Sequence, residues 1–218
     1  DIAHDLRTPL SRLRHQLEAA RGRTGPEGNA VIEQSLAEVD AILETFSALL
    51  RISQIEAGAR RAAFSEVSLE RILSTLSEAY APVAEDRGQK LKTIRAAVPP
   101  IQGDREFLTQ MAANLIENSI RHCPPGVEIS VTLALENGAP VMSIADTGPG
   151  IPERERENVL RRFYRLESSR TTPGSELGLA LVKAVADLHG ASIELVDNSP
   201  GLRVTVRFPP PEERSRPT

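Results

Sequence analysis

The chain has 218 residues, of which 40% are hydrophobic, 26% charged and 3% aromatic, with no Trp. That composition suits a soluble globular protein of one large or two small domains with aliphatic cores. A formal net charge of -4 offers no basic footprint for nucleic acid, and the single Cys123 excludes an intrachain disulfide or a cysteine-based zinc cluster.

No apolar run is long enough to span a bilayer, and no signal peptide is visible. The chain opens at Asp1 with a helical pattern already running at Ile2, which reads as a piece whose upstream part is missing. Any membrane attachment would then run through those missing upstream segments.

Residues 1–57 read as a helical hairpin. Ile2, Leu6, Leu10, Leu13 and Leu17 form one apolar stripe at helical spacing. Arg21–Gly28, with three Gly and one Pro, breaks it. Ile32, Leu36, Val39, Leu43, Phe46 and Leu50 then alternate spacings of four and three, a heptad seam. A sustained heptad favours near-parallel packing, so the hairpin is expected to pair with a second copy as a dimeric four-helix bundle. Packing against the rest of the chain is the alternative.

Ala57-Gly58-Ala59 ends the second helix, and the remainder reads as α/β. Ser68 is a candidate N-cap for a helix carrying Leu69, Ile72, Leu73, Leu76 and Val83. A strand near 90–97 follows, then a helix capped by Asp104 and running to about Arg121, where Cys123-Pro-Pro-Gly126 stops it. Val127–Leu135 and Val141–Ala145 form a hairpin around Asn137-Gly138. Glu153–Arg165 and Leu177–Leu188 read as helices, and Ala191–Val196 and Leu202–Phe208 as strands around Pro200-Gly201. The expected boundaries are a hairpin over 1–60, a linker over 61–66, an α/β domain over 67–209 and a disordered tail over 210–218.

On a helical wheel of about 100° per residue, His4 lies opposite the Ile2–Leu17 stripe, on the solvent side with Thr8, Ser11 and His15. An exposed neutral imidazole presents a nucleophilic nitrogen, and Asp5 beside it can take the proton from the other nitrogen. Pro9 has no N–H for the carbonyl of Asp5, so the helix is expected to bend just after the histidine. Taken alone, such a histidine is more often an ordinary surface residue.

Asn114 and Asn118 share one helix face with Arg121 and His122 one turn on. Asn is a poor helix-interior residue, so two on one face suggest a ligand, and amide oxygens are hard donors suited to Mg2+. Arg121 would meet phosphate charge. Asp146-Thr-Gly-Pro-Gly-Ile151 follows a predicted strand, where a carboxylate can receive the exocyclic amine of adenine and Gly148 and Gly150 allow close backbone approach. Gly174-Ser-Glu-Leu-Gly178-Leu opens a helix whose backbone N–H groups can hold an anion, and Thr171–Ser175 can form a lid. Each motif singly has a plain alternative: surface Asn residues, a turn, a helix cap.

His4-Asp5-Leu6-Arg7-Thr8-Pro9-Leu10 resembles the H-box of the HisKA class of sensor histidine kinases. The later segments, in order, resemble the ATP-binding domain of the GHKL superfamily in its histidine-kinase branch. Asn114–His122 matches its N box, Asp146–Gly150 the first glycine box, Arg162–Arg165 the F box and Gly174–Leu179 the second glycine box. His189-Gly190 and Gly201–Pro209 match its closing segment. The resemblance implies an α/β sandwich, a mixed sheet with helices on one face, and ATP under a lid.

It also implies roles. His4 is the phosphoacceptor, Asp5 the base, and Thr8 orients water when a phosphorylated response regulator is dephosphorylated. Asn114 and Asn118 hold Mg2+, with Arg121 and His122 near the phosphates. Asp146, with Gly148 and Gly150, reads adenine, while Gly174, Ser175, Leu177 and Gly178 hold the triphosphate. Arg165 neutralises charge on the transferring group. The partners implied are a response-regulator receiver domain and a second copy of the chain.

Two departures stand out. Glu176 occupies a position where glycine is usual, so its carboxylate either repels the triphosphate or points to solvent, and His122 stands where Tyr is more usual. Glu176 leaves open a kinase-impaired protein dominated by regulator phosphatase activity; separate alternatives are a nonenzymatic, nucleotide-binding dimeric scaffold and a GHKL ATPase releasing free phosphate, against which the H-box argues. His15 and His189 read as structural or surface residues.

Overall fold

The computed structural model describes residues 26–56, 64–162, 164 and 177–210, together with Leu17. The expected helix around His4, its bend at Pro9, the proposed lid and the tail from 211 onward lie outside the described residues.

Helix α1 (Pro26–Glu56) starts on a proline, where the missing N–H costs nothing because the first helical amides have no intrahelical acceptor. Its apolar residues divide between two faces. The heptad residues Ile32, Leu36, Leu43, Phe46 and Leu50 are about half exposed, between 48% and 58%. On the other side, Ala48, Leu49, Ile52 and Ile55 are buried and join the core of the following domain. The two packing modes open from sequence therefore use different faces. The end of α1 lies on the chain's own α/β domain, and the heptad seam stays uncovered.

A two-stranded antiparallel sheet, β1 (Ser65–Val67) with β3 (Ile101–Gly103), opens the α/β domain. Helix α2 (Leu69–Asp86) begins as expected, with Ser68 Oγ accepting from the Arg71 N–H at 3.3 Å. Leu69, Ile72 and Leu73 are buried, but Val83 is 43% exposed and Ala84 takes the inward position instead. Helix α3 (Arg105–His122) is capped by Asp104, whose Oδ1 accepts from the N–H groups of Glu106 (2.9 Å) and Phe107 (3.2 Å).

The main sheet joins β2 (Lys90–Arg95), β4 (Glu128–Glu136), β5 (Ala139–Asp146), β6 (Ser192–Asp197) and β7 (Leu202–Arg207) in the order β2-β4-β5-β7-β6. Only β2 and β4 run parallel. The β4–β5 turn carries Asn137 and Gly138 at φ 51° and 79°, the left-handed pair that an Asn-Gly hairpin supplies at least strain. Helices α2, α3 and α4 (Gly178–Leu188) cover one face. Ile129, Val131, Leu133, Val204 and Val206 point into that layer, while Ser130, Thr132 and Thr205 face the open side.

The helix expected over Glu153–Arg165 is replaced by two short 3-10 turns, Glu153–Glu155 and Asn158–Leu160. The segment buries only Val159 among its described residues, and one inward side chain cannot anchor an amphipathic stripe.

Candidate active site

Helix α3 packs along α4, and its middle faces the first turn of α4. Asn114 and Asn118 lie on the exposed side of the apolar row Met111, Leu115 and Ile116, so core packing fixes the direction in which the amides point. That direction is the N-terminus of α4. A Cβ built on Gly178 would stand 3.7 Å from both amide atoms of Asn118 and 4.0 Å from Oδ1 of Asn114. The α4 N-cap is Leu177, whose side chain is fully buried and has no acceptor for the first-turn amides. A helix start of this kind favours an anion, both through its N–H groups and through the helix dipole.

The Asn114 Nδ2 is buried and has no hydrogen-bond partner among the described residues. Buried polar atoms are normally paired, so an unpaired amide facing a helix N-terminus fits a group that binds there. No cluster of His, Cys, Asp and Glu suited to a metal exists among the described residues. A divalent cation held here would take the amide oxygens of Asn114 and Asn118 and complete its shell with phosphate oxygens and water. Mg2+ accepts that donor set. Arg121 is half-buried and His122 exposed on the same helix face.

Beside Asn118 on α3, Ser119 reaches Asp146, the last residue of β5, which is 6% exposed. Its Oδ1 accepts from the backbone N–H groups of Gly148 (3.0 Å) and Leu202 (3.3 Å), and its Oδ2 from Ser119 Oγ (3.2 Å). The Cys123 thiol also hydrogen-bonds this carboxylate. Burial first, and then the charge and hydrogen bond of Asp146, push that thiol up to about 12, against a smaller opposing effect of the Gly148 backbone. A Cβ on Gly148 would collide with the Cys123 sulfur.

Beneath the turn, Gly150 (φ 70°) and Gly201 (φ 112°) meet backbone to backbone. A Cβ on Gly150 would stand 2.7 Å from the Gly201 carbonyl oxygen, and one on Gly201 would collide with the Asp146 carbonyl. Asn198 Nδ2 donates to that same carbonyl at 2.9 Å.

Asn114, Asn118 and Gly178 thus come together, Ser119 beside Asn118 joins them to the turn of Asp146, Gly148 and Gly150, and Arg121 lies one turn beyond Asn118 on α3. Leu177 contributes through its backbone only. His4, Asp5, Thr8, Arg165, Gly174, Ser175 and Glu176 lie outside the described residues. Of the F box, Arg162 and Tyr164 are described, and the Tyr164 hydroxyl donates to Glu155.

Sequence reasoning missed Ser119, Leu202, Asn198 and Gln89. Ser119 had a signal, being a polar residue inside the apolar row of α3. Leu202 acts through its backbone, which no side-chain pattern reports. Gln89 is buried and donates to the carbonyls of Ile120 (3.0 Å) and Cys123 (2.7 Å), closing the end of α3.

A mixed sheet covered on one face, an asparagine pair facing a helix start, and an aspartate-glycine turn at a strand end define a nucleotide-binding domain of the GHKL type. Residues 103–212 match the histidine kinase-, DNA gyrase B- and HSP90-like ATPase family, and residues 1–58 match the His Kinase A (phospho-acceptor) domain. The chain is 32% identical over 214 residues to the sensor protein CzcS of Cupriavidus metallidurans, covering 96% of this chain and 44% of that protein. It is 32% identical over 212 residues to the histidine-protein kinase/phosphatase MprB of Mycobacterium tuberculosis, covering 92% and 41%. The structure of the Acinetobacter baumannii histidine kinase AdeS shares the fold with a TM-score of 0.77 at 20% identity, covering 95% of this chain and 98% of that one. The chain therefore belongs to the sensor histidine kinases of two-component systems. It spans less than half the length of the curated relatives it matches.

Proposed function

We propose that this chain is the kinase core of a sensor protein, which binds Mg-ATP in the α3–α4 cleft, phosphorylates His4 and passes the phosphoryl group to an aspartate of a response regulator. The observation that supports it most is the facing of Asn114 and Asn118 onto the α4 N-terminus, with Asp146 held beside them through Ser119. Residues 1–60 serve as dimerisation and phosphoacceptor hairpin, 61–66 as linker and 67–209 as catalytic domain.

Asp146 accepts the exocyclic amine of adenine, and the first-turn amides of α4 with Arg121 hold phosphate oxygens. The amide oxygens of Asn114 and Asn118 suit a Mg2+ ion, which supplies neutralisation of phosphate charge. One imidazole nitrogen of His4 attacks the γ-phosphorus in line. The N–P bond forms as the bond to the departing ADP oxygen breaks, and Asp5 takes the proton from the other ring nitrogen. By their match to the second glycine box and the F box, Gly174 and Ser175 are assigned to the triphosphate and Arg165 to the charge on the transferring group.

The heptad face Ile32, Leu36, Leu43, Phe46 and Leu50, left exposed, pairs with the same face of a second copy. Among the described residues no helix is long and apolar enough to cross a membrane. The core is read as the cytoplasmic portion of a protein attached to a membrane elsewhere. The kinase/phosphatase designation of MprB, with Thr8 in the H-box, favours a second activity, dephosphorylation of the regulator.

The test is incubation with γ-labelled ATP and Mg2+. The expected result is an acid-labile, alkali-stable label on the chain that is lost in His4→Gln. Label retained in that variant removes His4 as acceptor. Nucleotide binding without any label supports the phosphatase or scaffold reading instead.

A further inference from the structure

His189 follows the last residue of α4, at the end of that helix away from the phosphate cleft, and is 7% exposed. Its Nδ1 lies 2.8 Å from the carbonyl oxygen of Val185, an acceptor, so Nδ1 carries the proton and donates. Nε2 is then a bare lone pair, and it accepts the backbone N–H of Asp104 at 3.0 Å. Asp104 is the N-cap of α3, the helix that carries Asn114 and Asn118.

One face of the ring stacks on Phe64, with centroids 4.8 Å apart and planes 11° from parallel. Phe64 is the first described residue after the stretch joining α1 to the catalytic domain. The ring also lies against Gly103, where a Cβ would stand 2.7 Å from His189 Cδ2.

Helices α3 and α4 run antiparallel, because the start of α3 meets the end of α4 at His189 while its middle meets the start of α4 at Gly178. Asp104 lies ten residues before Asn114, and His189 eleven after Gly178, which are matching lengths of roughly 15 Å at 1.5 Å per residue. The helix pair is thus fastened at one end by His189 and faces the phosphates at the other.

We propose that His189 is a positioning residue for nucleotide binding: by bridging the ends of α3 and α4 and stacking on Phe64, it sets the gap that receives the phosphates and ties that gap to the linker. This rests on the nucleotide site proposed above. An apolar filler would serve packing alone. This ring uses both nitrogens in one tautomer, across the two elements that build the cleft. A proton on Nε2 would set two donors against each other at Asp104 and release the bridge. Asp104 is the charged group that acts on the ring, and Val185, Gly103, Leu108 and Phe64 present none to it.

The test compares the intact chain with His189→Phe, which keeps a ring for Phe64 but has no acceptor, and His189→Gln, which offers Asp104 a carbonyl oxygen. Binding of AMP-PNP with Mg2+ is titrated between pH 7.5 and 5.5, with circular dichroism as the check on folding. The expected Kd in the Phe variant is about tenfold higher at pH 7.5, as an orphaned buried N–H implies, with most of the affinity restored in the Gln variant. As the pH drops, wild-type affinity falls more than that of the Gln variant, the nucleotide's own phosphate titrating alike in both. Equal Kd values in wild type and a folded Phe variant overturn the proposal. So does equal weakening in both variants, or, if the Phe variant does not fold, the same pH profile in wild type and Gln. Absence of any wild-type binding sinks the nucleotide site itself, and the positioning role with it.

Discussion

Asp146→Asn isolates what the carboxylate reads without dismantling the turn that holds it. Oδ1 of Asp146 accepts from the Gly148 and Leu202 N–H groups, and an asparagine keeps an oxygen there. Oδ2 becomes an amino group facing Ser119, whose hydroxyl can rotate from donor to acceptor. The fold should therefore survive. Adenine would then present its exocyclic amine to another donor. Loss of a hydrogen bond to a charged acceptor costs about 1.5–3 kcal/mol, or roughly 10- to 150-fold in Kd. An inosine nucleotide carries a carbonyl oxygen at that position and should gain where the adenine nucleotide loses. Calorimetric titration of wild type and variant with ATP and ITP, each with Mg2+, reads both effects. The expected outcome is a collapse or inversion of the preference for ATP. An unchanged Kd for ATP, or equal weakening of both nucleotides, would refute the assignment of Asp146 as the adenine reader.

Three further outcomes follow from other parts of the structure. Leu43→Glu combined with Phe46→Glu places charge on the exposed heptad face of α1, and sedimentation should show a dimer reduced to monomer while the catalytic domain stays folded. The pKa of His189 lies below the ordinary histidine value, chiefly through burial. The unfolded chain therefore binds more protons below about pH 6.5, and stability falls as pH drops through that value until the folded-state pKa is passed. Thermal melts of wild type against His189→Gln should diverge in that window, and parallel curves would contradict it. The Cys123 thiol, pushed up to about 12, should resist iodoacetamide at pH 8, with roughly a thousandfold less thiolate than a free cysteine. Asp146→Asn should speed the reaction, and a wild-type rate equal to that of free cysteine would contradict the burial of the thiol.

Features carried by adjacent residues were readable from sequence. Ser68 and Asp104 announce their helices because a short polar acceptor satisfies the orphan amides just ahead of it. Asn137-Gly138 announces its turn because few other pairs tolerate two left-handed residues. Asn114 and Asn118 stood out because their side chains suit a helix interior poorly and so need another reason to be there.

Features made by distant partners were not readable. Strands β1 and β3 have three residues each and no period, and exist because Ser65–Val67 finds Ile101–Gly103 across the domain. Glu153–Arg165 read as a helix, yet among its described residues only Val159 is fully buried, with Leu160 and Tyr164 packed partly buried against the core. The second face of α1, through Ile52 and Ile55, was masked by the regular heptad beside it. His189 looked idle for the same reason: its partners Asp104 and Phe64 lie 85 and 125 positions away.

On the function proposed above, the Asn pair, the α4 N-terminus and the aspartate-glycine turn form one Mg-nucleotide site. Titration of AMP-PNP into the intact chain, with Mg2+ and with EDTA, repeated on the Asn114→Ala, Asn118→Ala double variant, addresses it directly. The expected result is saturable binding that needs Mg2+ and disappears in the double variant, whose thermal melt stays cooperative. Binding of equal strength in EDTA, or in the double variant, would contradict it.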